Sequence, residues 1–431
     1  MTDETDKSDD LEEQTAAEDE AAPDVMPSYD YDFGDEEDDV GEGLDDAPDE
    51  PAADDDEPSA SFDAPESDEN QPREEPEAAP SRGPLITRGR LIAVGAPLAF
   101  VALLLGGNIG YQAVATNMDD KAYPAPGRLV DVGGHRLHIH CQGQSDDLPT
   151  VLFEAAPGGW SVVWGPVQRQ IAKLTRACVY DRAGYGWSEA GPGPRDGRRI
   201  VNELQTLLTK AKVPGPYVLV GHDMASLWLR RFARRHADQV AGLVLVNTVE
   251  EDALPLYETL RAQQDAALSG LALYARFGLL RHVFKHRWPN PGLTGEAATV
   301  FDAWMMRPAT YQIIAAETSH LLADAEAART MGTFGKLPLA VVTTMTSAWV
   351  PDDLPEGAMS VSAFNAAWKE AQARLTRLAV NPVRVYSKKS GHQIPVEDPQ
   401  AVAFAVQRIL ERIAGKSLDA DKPEKVAQQS D

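Results

Sequence analysis

The chain has 431 residues and a formal net charge of −27, and 34 of its 67 acidic residues lie within the first 80 positions. Only Lys7 and Arg73 offset them there, which gives this segment a net charge of −32. The remaining residues hold 38 bases and 33 acids, a net charge of +5. This surplus is too small and diffuse to indicate a nucleic-acid partner. The length is typical of two or three domains.

The first 84 residues are rich in Asp, Glu, Pro and Ala and poor in large apolar residues. Such a segment cannot bury enough apolar surface to offset its loss of conformational entropy, so we predict a disordered acidic tail. Two interpretations stay open, a solvated spacer and a docking segment for a basic partner that the sequence does not identify. In the second case Tyr29–Asp39 is the expected contact.

A membrane-spanning helix is predicted over residues 91–115. No charged residue occurs in the 28 positions from Leu91 to Met118, which is long enough to cross a bilayer as a helix. The flanking basic residues are Arg82, Arg88 and Arg90, whereas Asp119 and Asp120 follow. This asymmetry predicts a single-pass signal anchor in the cell membrane, with the N-terminus cytoplasmic and the folded part extracytoplasmic. A cleaved signal peptide and a buried core helix are the disfavoured alternatives.

Alternating strand and helix patterns predict an α/β domain over residues 121–416. Two hairpin strands within 128–142 are followed by strands near 149–156, 177–181, 216–221, 241–247, 338–344 and 383–389. Helical patterns lie between most of them, which is typical of a mostly parallel eight-stranded sheet with flanking helices on both faces. Residues 252–335 lack a strong strand pattern and are predicted to form an inserted helical cap. Residues 417–431 are predicted to form a flexible C-terminal tail.

Two short motifs carry the predicted chemistry. The sequence Gly221-His222-Asp223-Met224-Ala225 lies where a strand runs directly into a helix. Small residues at both ends of such a turn allow a strained backbone that exposes the central residue, here Asp223. The second motif, Ser390-Gly391-His392, follows the last predicted strand. His135, His138 and His140 alternate along one strand and are expected to face solvent. The sequence also has no P-loop, no dinucleotide-type GxGxxG after a strand, and no HExxH or CxxC motif, so we predict neither a metal nor a cofactor.

The order of elements, the sharp strand-to-helix turn and the late Gly-His pair resemble the α/β-hydrolase superfamily. Segments that look like a bacterial membrane-anchored branch of it are YPAPGRLVDVGGHRLHIHCQG, WGPVQRQIAKLTRACVYDRAGYGWSEAGPGPR, PGPYVLVGH, VAGLVLVN and SGHQIPVEDP. The resemblance implies that the second strand lies beside the fourth. Cys141 and Cys178, on those strands, would then be within disulfide reach, with two buried free thiols as the alternative.

An aspartate at this turn is similar to epoxide hydrolases and haloalkane dehalogenases within the superfamily. A carboxylate at position 223 suits displacement at an sp³ carbon, which gives an alkyl-enzyme ester that a histidine-activated water then hydrolyses. The resemblance gives His392 the role of that general base, acting on a small-molecule substrate. Two alternatives stay open: an esterase-like hydrolase with a modified turn, and an inactive protein that keeps the fold as a binding module.

Other positions follow from the same resemblance. The acid that orients His392 is expected at Asp352 or Asp353, or displaced to residues 250–252. Asn247 stands where the related branch tends to carry Asp. Backbone N–H groups of Ala156 and Met224 would form the oxyanion hole. The residues that could protonate an opening epoxide are Tyr257, Tyr274 and Tyr311 in the cap.

The sequence departs from the Asp-type enzymes at two positions, Met224 in place of a halide-binding Trp and Ala225 in place of Gly. Asp181 is expected to fix its own loop, and the side chain of His222 is expected to pack away from the site. Ser226 lies inside the following helix and is not expected to replace Asp223. Packing is the favoured interpretation of the three tryptophans that could line an apolar pocket, which are Trp160, Trp187 and Trp304.

Overall fold

The computed structural model describes residues 88–284, 290, 292–345 and 360–415, with the side chains of 88–96 and 255–264 excepted. The predicted acidic tail (1–84) and C-terminal tail (417–431) lie outside these residues. The first described element is one long helix, α1 (Arg88–Ala122). Its segment Pro97–Ala122 is long and apolar enough to cross a membrane, by length and composition alone. The helix extends past both ends of the predicted span, 91–115.

Eight strands follow α1 and form one sheet. They are β1 (Arg128–Asp131), β2 (Arg136–Gln142), β3 (Thr150–Glu154), β4 (Ala177–Tyr180), β5 (Tyr217–His222), β6 (Val240–Val246), β7 (Leu339–Thr344) and β8 (Val383–Ser387). Their spatial order is β1-β2-β4-β3-β5-β6-β7-β8. Only the pairs β1–β2 and β2–β4 are antiparallel, and the other five are parallel. The central strands β3, β4 and β5 are buried throughout, because helices cover both faces of a parallel sheet.

The predicted disulfide is present. Cys141 and Cys178 face each other in the register of β2 against β4, with their Cα atoms 4.0 Å apart. The bond joins an antiparallel outer strand to the parallel centre of the sheet, so it ties the hairpin to the core. Both cysteines of the chain are used in it.

The helices form two sets. Those that flank the sheet are α2 (Gly165–Ile171), α3 (Gly197–Lys210), α4 (Ala225–Arg235), α10 (Val361–Leu375), α11 (Ile394–Glu397) and α12 (Pro399–Ile413). Those inserted between β6 and β7 form the cap: α5 (Leu254–Arg276), α6 (Leu279–Val283), α7 (Gly295–Met305), α8 (Pro308–Thr318) and α9 (Leu321–Arg329). These five helices lie in the interval for which the missing strand pattern predicts an inserted helical cap.

Each face of the sheet has its own hydrophobic core. On one face α3, α4 and α10 pack on the sheet, and on the other α2 and α12 do so together with parts of the cap. The helix α3 shows why the sequence folds this way: Leu204, Leu207 and Leu208 lie on one buried side, and the Asp196 carboxylate accepts a hydrogen bond from the N–H of Arg199 at its start. These layers enclose β5 and β6, and the cap is inserted directly after β6.

Candidate active site

The turn after β5 holds Asp223 in a backbone conformation that few residues adopt. Its φ is +53°, the left-handed region, which aspartate enters more readily than most non-glycine residues. Its N–H donates to the carbonyl of Val246 at 3.0 Å, and its carbonyl accepts from the N–H of Ser226 at 3.1 Å. Such a conformation costs on the order of 1–3 kcal/mol and persists because the surrounding packing enforces it. The turn thus projects the Asp223 side chain out of the end of the sheet.

Close packing favours a glycine at the first position of the turn. A Cβ added at Gly221 would lie 2.9 Å from Cδ1 of Leu229 and 3.1 Å from the backbone of Ser226. Ser226 itself is fully buried and donates its hydroxyl to the carbonyl of Gly221 at 2.8 Å. Its Oγ also accepts from the hydroxyl of Thr248. Ser226 is therefore a structural residue of the turn.

His392 and Asn247 join Asp223 at the carboxyl end of the sheet. The Nε2 atom of His392 lies 4.0 Å from Oδ2 of Asp223, and their side chains are 16% and 20% exposed. On the other side of the ring, Nδ1 of His392 lies 2.9 Å from Nδ2 of Asn247. Asn247 also has a positive φ of 44°, so two strained turns bracket the histidine. The three residues form an Asp-His-Asn array.

Burial shifts the ionisation of both groups that could react. It lowers the pKa of His392 to about 4, which keeps the imidazole neutral at physiological pH. Burial also raises the pKa of Asp223, although His222 and the Met224 N–H act in the opposite direction. Asn247 adds no charge, so it cannot raise the pKa of His392 as a carboxylate would.

His222 supports the site from behind, and the expectation that it packs away from the site is wrong. It is buried, its Nε2 lies 2.9 Å from the carbonyl of His392, and the two imidazole rings are 4.9 Å apart. Burial and the neighbouring His392 lower the pKa of His222 to about 3. A neutral His222 can donate through Nε2 to the His392 carbonyl and so fixes the backbone that carries the proposed base.

Among the acids predicted to orient His392, residues 250–252 instead pair with arginines. Glu250 accepts from Arg374 at 2.7 Å, Glu251 pairs with Arg230, and Asp252 pairs with Arg329 at 3.1 Å. Asp352 and Asp353 lie outside the described residues. The group seen beside Nδ1 of His392 is the Asn247 amide, at the position where the related branch tends to carry Asp.

The two backbone groups predicted for an oxyanion hole lie at the same end of the sheet. Met224 follows Asp223, and its N–H is near enough to the Asp223 carboxylate to lower the pKa of that group. Ala156 lies in the loop directly after β3, the strand that pairs with β5. Both residues are buried, Met224 at 2% and Ala156 at 6% exposure.

A buried arginine fixes this loop and was not predicted from the sequence. Arg182 donates to the carbonyl of Ala155 at 2.6 Å and to that of Ala156 at 3.3 Å. It also forms two parallel hydrogen bonds, each 2.8 Å long, to the carboxylate of Glu317 on the cap helix α8. Tyr185 donates to the same carboxylate at 3.0 Å. The guanidinium thus joins the Ala155–Ala156 loop to the cap in one charge-matched cluster.

Glu154, at the end of β3, is a second buried acid in this cluster. Burial raises its pKa to about 7, although Arg182 and Tyr180 act in the opposite direction. Its Oε1 lies 3.9 Å from Nη1 of Arg182, farther than the Glu317 oxygens. The folded protein therefore binds the Glu154 proton more tightly than the unfolded chain does.

This shift predicts that Glu154 makes the protein less stable as the pH rises. Its contribution is complete below the ordinary value of 4.5 and is lost as the pH rises through about 7. The lowered pKa values of His222 and His392 act with the opposite slope, so the comparison must be between variants. Thermal unfolding of wild type and Glu154→Gln from pH 4 to 8 should show their melting temperatures diverging in favour of the variant above pH 5. Glu326→Gln, on the exposed side of α9, is the control, and parallel curves for Glu154→Gln would contradict the assignment.

The predicted cap tyrosines are not all available as acids. Tyr311 is buried and donates its hydroxyl to the carbonyl of Met305 at 2.6 Å, within the cap itself. Tyr274 is 53% exposed on α5. Tyr257 lies on the same helix, but its side chain is outside the described residues. A protonating role for Tyr311 would require it to give up a bond that the cap uses.

The loop after β4 is built around Asp181, as expected. Its carboxylate accepts from the N–H groups of Ser161 and Trp187 at 2.8 and 3.0 Å and lies 2.9 Å from Nδ1 of His138. The expectation of solvent-facing histidines is wrong for His138 and His135, which are 0% and 6% exposed. Within the described ranges, no group of three or more His, Cys, Asp or Glu side chains could hold a metal ion.

The three tryptophans pack between the sheet and the cap. Trp160 stacks on Phe301 of α7 with ring centroids 5.0 Å apart, and Trp187 contacts Trp304 at 5.3 Å. Trp187 also lines a cavity of about 640 Å³ between the cap, α2 and β2. Packing, the favoured interpretation, accounts for Trp160 and Trp304.

Comparison with known proteins supports the fold. A family model described as alpha/beta hydrolase fold matches residues 149–277, which contain β3 to β6 and the turn at Asp223. With the sheet order and the cap, this match confirms the predicted α/β-hydrolase fold and supports the α/β-hydrolase superfamily. The finer placement in a bacterial membrane-anchored branch stays a prediction.

Relatives match only part of this chain. The protein named probable transporter efuK from Hormonema carpetanum is 32% identical over 133 residues, 30% of this chain and 19% of that protein. An uncharacterized vacuolar membrane protein of Saccharomyces cerevisiae (strain YJM789) is 33% identical over 136 residues, 28% of this chain and 21% of that protein. The chain thus spans about a fifth of the length of these relatives. The solved haloalkane dehalogenase DbeA from Bradyrhizobium elkani USDA94 is 18% identical, with coverage of 67% of this chain and 99% of that one, at a TM-score of 0.49.

Proposed function

We propose that the chain is a hydrolase that displaces a leaving group from an sp³ carbon of a small organic substrate, an epoxide or an alkyl halide. The observation that carries the proposal is the strained turn that holds Asp223 with its Oδ2 4.0 Å from Nε2 of His392. A carboxylate held in this way is a nucleophile for carbon, and a neutral imidazole beside it is a base for water.

The reaction has two steps in this proposal. The Asp223 carboxylate attacks the carbon, forms a C–O bond, and the leaving group departs with its electron pair as halide or as the opened epoxide oxygen. Water then gives a proton to Nε2 of His392 and attacks Cγ of Asp223. The bond from Cγ to the substrate oxygen breaks, and the proton passes from His392 to the product alkoxide. Asp223 then releases the second proton of the water, to the opened epoxide oxygen or, for a halide, to solvent, and is a carboxylate again. The Met224 and Ala156 N–H groups would stabilise the tetrahedral oxyanion in this second step.

Asn247 would position His392. In the observed contact the amide Nδ2 donates to Nδ1, so the ring proton is on Nε2 and points toward Asp223. Half a turn of the amide presents its oxygen to Nδ1–H and leaves the lone pair on Nε2, the form that a base needs. An asparagine permits both tautomers, whereas an aspartate would hold the second.

Replacing Asn247 by Asp tests this role through the pH dependence of ester hydrolysis. In wild type the rate constant should rise with pH through about 4 and then stay level, because only neutral His392 accepts a proton. In Asn247→Asp the new carboxylate should stabilise the imidazolium and move the inflexion up by about 1–3 pH units. The plateau rate should rise, because the productive tautomer is fixed.

Single-turnover kinetics at a series of pH values measure both the pH of the inflexion and the plateau rate. Asn202→Asp, an exposed substitution of the same chemistry on α3, is the control and should leave the profile unchanged. An Asn247→Asp profile that keeps its inflexion near pH 4 would contradict the proposed position of Asn247 beside the base.

Isotope incorporation tests the covalent step. The full chain, purified in detergent, is given a panel of epoxides and alkyl halides in ¹⁸O-water and is then digested for mass spectrometry. After one turnover the label should be in the Asp223 carboxylate and the product oxygen should be unlabelled, because water attacks Cγ. Label in the product alone would indicate direct attack of water on the substrate and would overturn the nucleophilic role.

A non-catalytic binding module is the second candidate, and Asn247 favours it. A neutral amide beside His392, together with Ala225 at the second small position, is a weaker arrangement than an acid and a glycine. This candidate predicts ligand binding without turnover or label in Asp223. Esterase activity gained by Asp223→Ser would show that the rest of a serine-type site is competent.

The same proposal places the hydrolase on a membrane through α1. Its support is the length and composition of Pro97–Ala122 and the exposure of its apolar side chains, such as Leu104 at 50% and Val114 at 61%. The basic residues before the uncharged stretch 91–118 and the acidic residues after it favour a cytoplasmic N-terminus and an extracytoplasmic domain. The yeast relative described above is named a vacuolar membrane protein, which agrees with a membrane location.

A further inference from the structure

The C-terminal part of α1 is joined to the cap by buried polar contacts. Arg281 on α6 is 1% exposed and donates to Oδ2 of Asp119 at 2.6 Å and to Oε1 of Gln112 at 2.9 Å. Gln112 in turn donates to the carbonyl of Met306 at 3.0 Å, and Arg307 pairs with Asp120 at 2.9 Å. A buried arginine between two partners on one helix fixes both the distance and the rotation of that helix. The cap is therefore held at a fixed position along the axis of α1.

At this position, one corner of the cap lies beside the apolar part of α1. The corner is the segment Leu273–Val283, the end of α5 and the whole of α6. A Cβ added at Gly278 would lie 3.3 Å from Cδ1 of Tyr111 and 3.4 Å from the carbonyl of Asn108. His282 stacks on the Tyr111 ring at 5.3 Å. The corner thus meets α1 between residues 108 and 112.

This level lies well inside the uncharged stretch that ends at Met118. A helix rises about 1.5 Å per residue, so the corner meets α1 about 9–15 Å before the end of that stretch. A hydrocarbon layer of about 30 Å takes about 20 residues, and 20 residues counted from Arg88 end at position 107. This placement keeps the cap farthest from the lipid. Even so, residue 108 and the corner beside it lie at the lipid surface.

The corner has the side chains that suit this position. Leu273 is 54% exposed, Tyr274 53%, Leu279 37% and Val283 69%, an apolar surface that a water-facing cap would not be expected to concentrate. Tyr274 is a residue type enriched at the membrane interface. Arg276 is also exposed there and can reach anionic headgroups while its stem lies on apolar surface.

We propose that this corner is a second membrane contact, in which Leu273, Tyr274, Leu279 and Val283 lie in the lipid interface beside α1. The inference rests on the proposed anchoring by α1. Its partner is the bilayer itself, chosen because the corner is continuous with the exposed apolar surface of α1, including Val114 and Met118 at 61% and 64% exposure. The cap would then stand directly on the membrane, and Tyr274 would serve in lipid contact rather than in catalysis.

Site-specific fluorescence tests the proposal in the full chain. Both native cysteines are in the disulfide, so a cysteine introduced at one position and labelled with an environment-sensitive fluorophore reports on that position. Three variants are reconstituted into phosphatidylcholine–phosphatidylglycerol vesicles with or without nitroxide lipids: Val283→Cys, Leu104→Cys and Val380→Cys. Val380 is 60% exposed and precedes β8, at the end of the sheet opposite the cap, which makes it a matched exposed valine.

The labelled Val283 position should show blue-shifted emission and a loss of fluorescence with nitroxides at the headgroup level, while the Val380 label should show neither. The Leu104 label, about 6 Å deeper along α1 than residue 108, should be quenched more strongly by nitroxides on the acyl chains than the Val283 label. Quenching at Leu104 with none at Val283 would overturn the second contact and leave the anchor intact, whereas no quenching at Leu104 would overturn the anchor. A blue shift at Val283 without nitroxide quenching would mean that another protein surface, such as a second copy, covers the corner, and would also overturn the proposal.

Discussion

Asp223→Asn is expected to abolish turnover, with a loss on the order of 10⁴-fold or more in the rate of product formation. An amide oxygen is a far weaker nucleophile than a carboxylate, so the alkyl ester cannot form at a useful rate. Asparagine is the chosen replacement because, like aspartate, it tolerates the left-handed conformation seen at φ +53°. The turn should therefore survive, and the loss should be chemical.

The measurement pairs activity with folding. Asp238→Asn, on the exposed short helix after α4, is the control and should keep wild-type activity. The melting temperature of Asp223→Asn should stay close to that of wild type, since the variant also removes a buried charge. Turnover retained in Asp223→Asn, with substrate and product confirmed by mass spectrometry, would move the chemistry to another residue.

Arg182→Met is expected to give the largest loss of stability, about 3–5 kcal/mol in the free energy of unfolding. The substitution keeps much of the apolar stem but leaves the Glu317 carboxylate buried without its cation, and an uncompensated buried charge is costly. It also removes the donors to the carbonyls of Ala155 and Ala156. The loop that would form half of the oxyanion hole should then lose its tie to the cap.

A surface pair of the same residue types provides the control. Arg136 and Glu189 form an exposed ion pair, with side chains 54% and 42% exposed, and Arg136→Met should destabilise the protein far less than Arg182→Met, because solvent screens the exposed charges. The double variant Arg182→Met/Glu317→Gln should recover part of the loss, because no buried charge remains unpaired. Urea unfolding of the full chain in detergent measures all three. Equal losses for Arg182→Met and Arg136→Met would contradict a central role for the buried cluster.

The sequence predicted the fold well because its signals were local. Buried strands of the parallel sheet are continuous apolar runs, and β5 continues into α4 through a motif of five residues. The pairing of Cys141 with Cys178 needed only the strand order of the resembled fold. These features depend on residues that are close in the chain or on the strand order of the resembled fold. They could therefore be predicted from a single sequence.

The support of the candidate site could not be predicted in the same way. Arg182 and Glu317 are 135 residues apart, and nothing local marks a cap glutamate as the partner of a loop arginine. The position of His222 was predicted wrongly. Alternation along a strand shows on which face of the sheet a side chain lies, but it does not show that the later loop with His392 packs on that face. The alternating histidines near β2 were expected in solvent because the strand pattern did not reveal that the loop after β4 covers them.

The Asn247 amide has a consequence for the charge of the site during a reaction cycle. Under the proposed mechanism, esterified Asp223 is neutral, His392 with its pKa of about 4 is neutral, and Asn247 has no charge to lose. The covalent intermediate is then the state in which these three residues hold no formal charge at all, in a place where burial penalises charge. In the resting enzyme and during hydrolysis, at least one of these three residues carries a formal charge. The alkyl-enzyme ester should therefore accumulate, and intact-protein mass spectrometry during turnover should find the adduct as a major species.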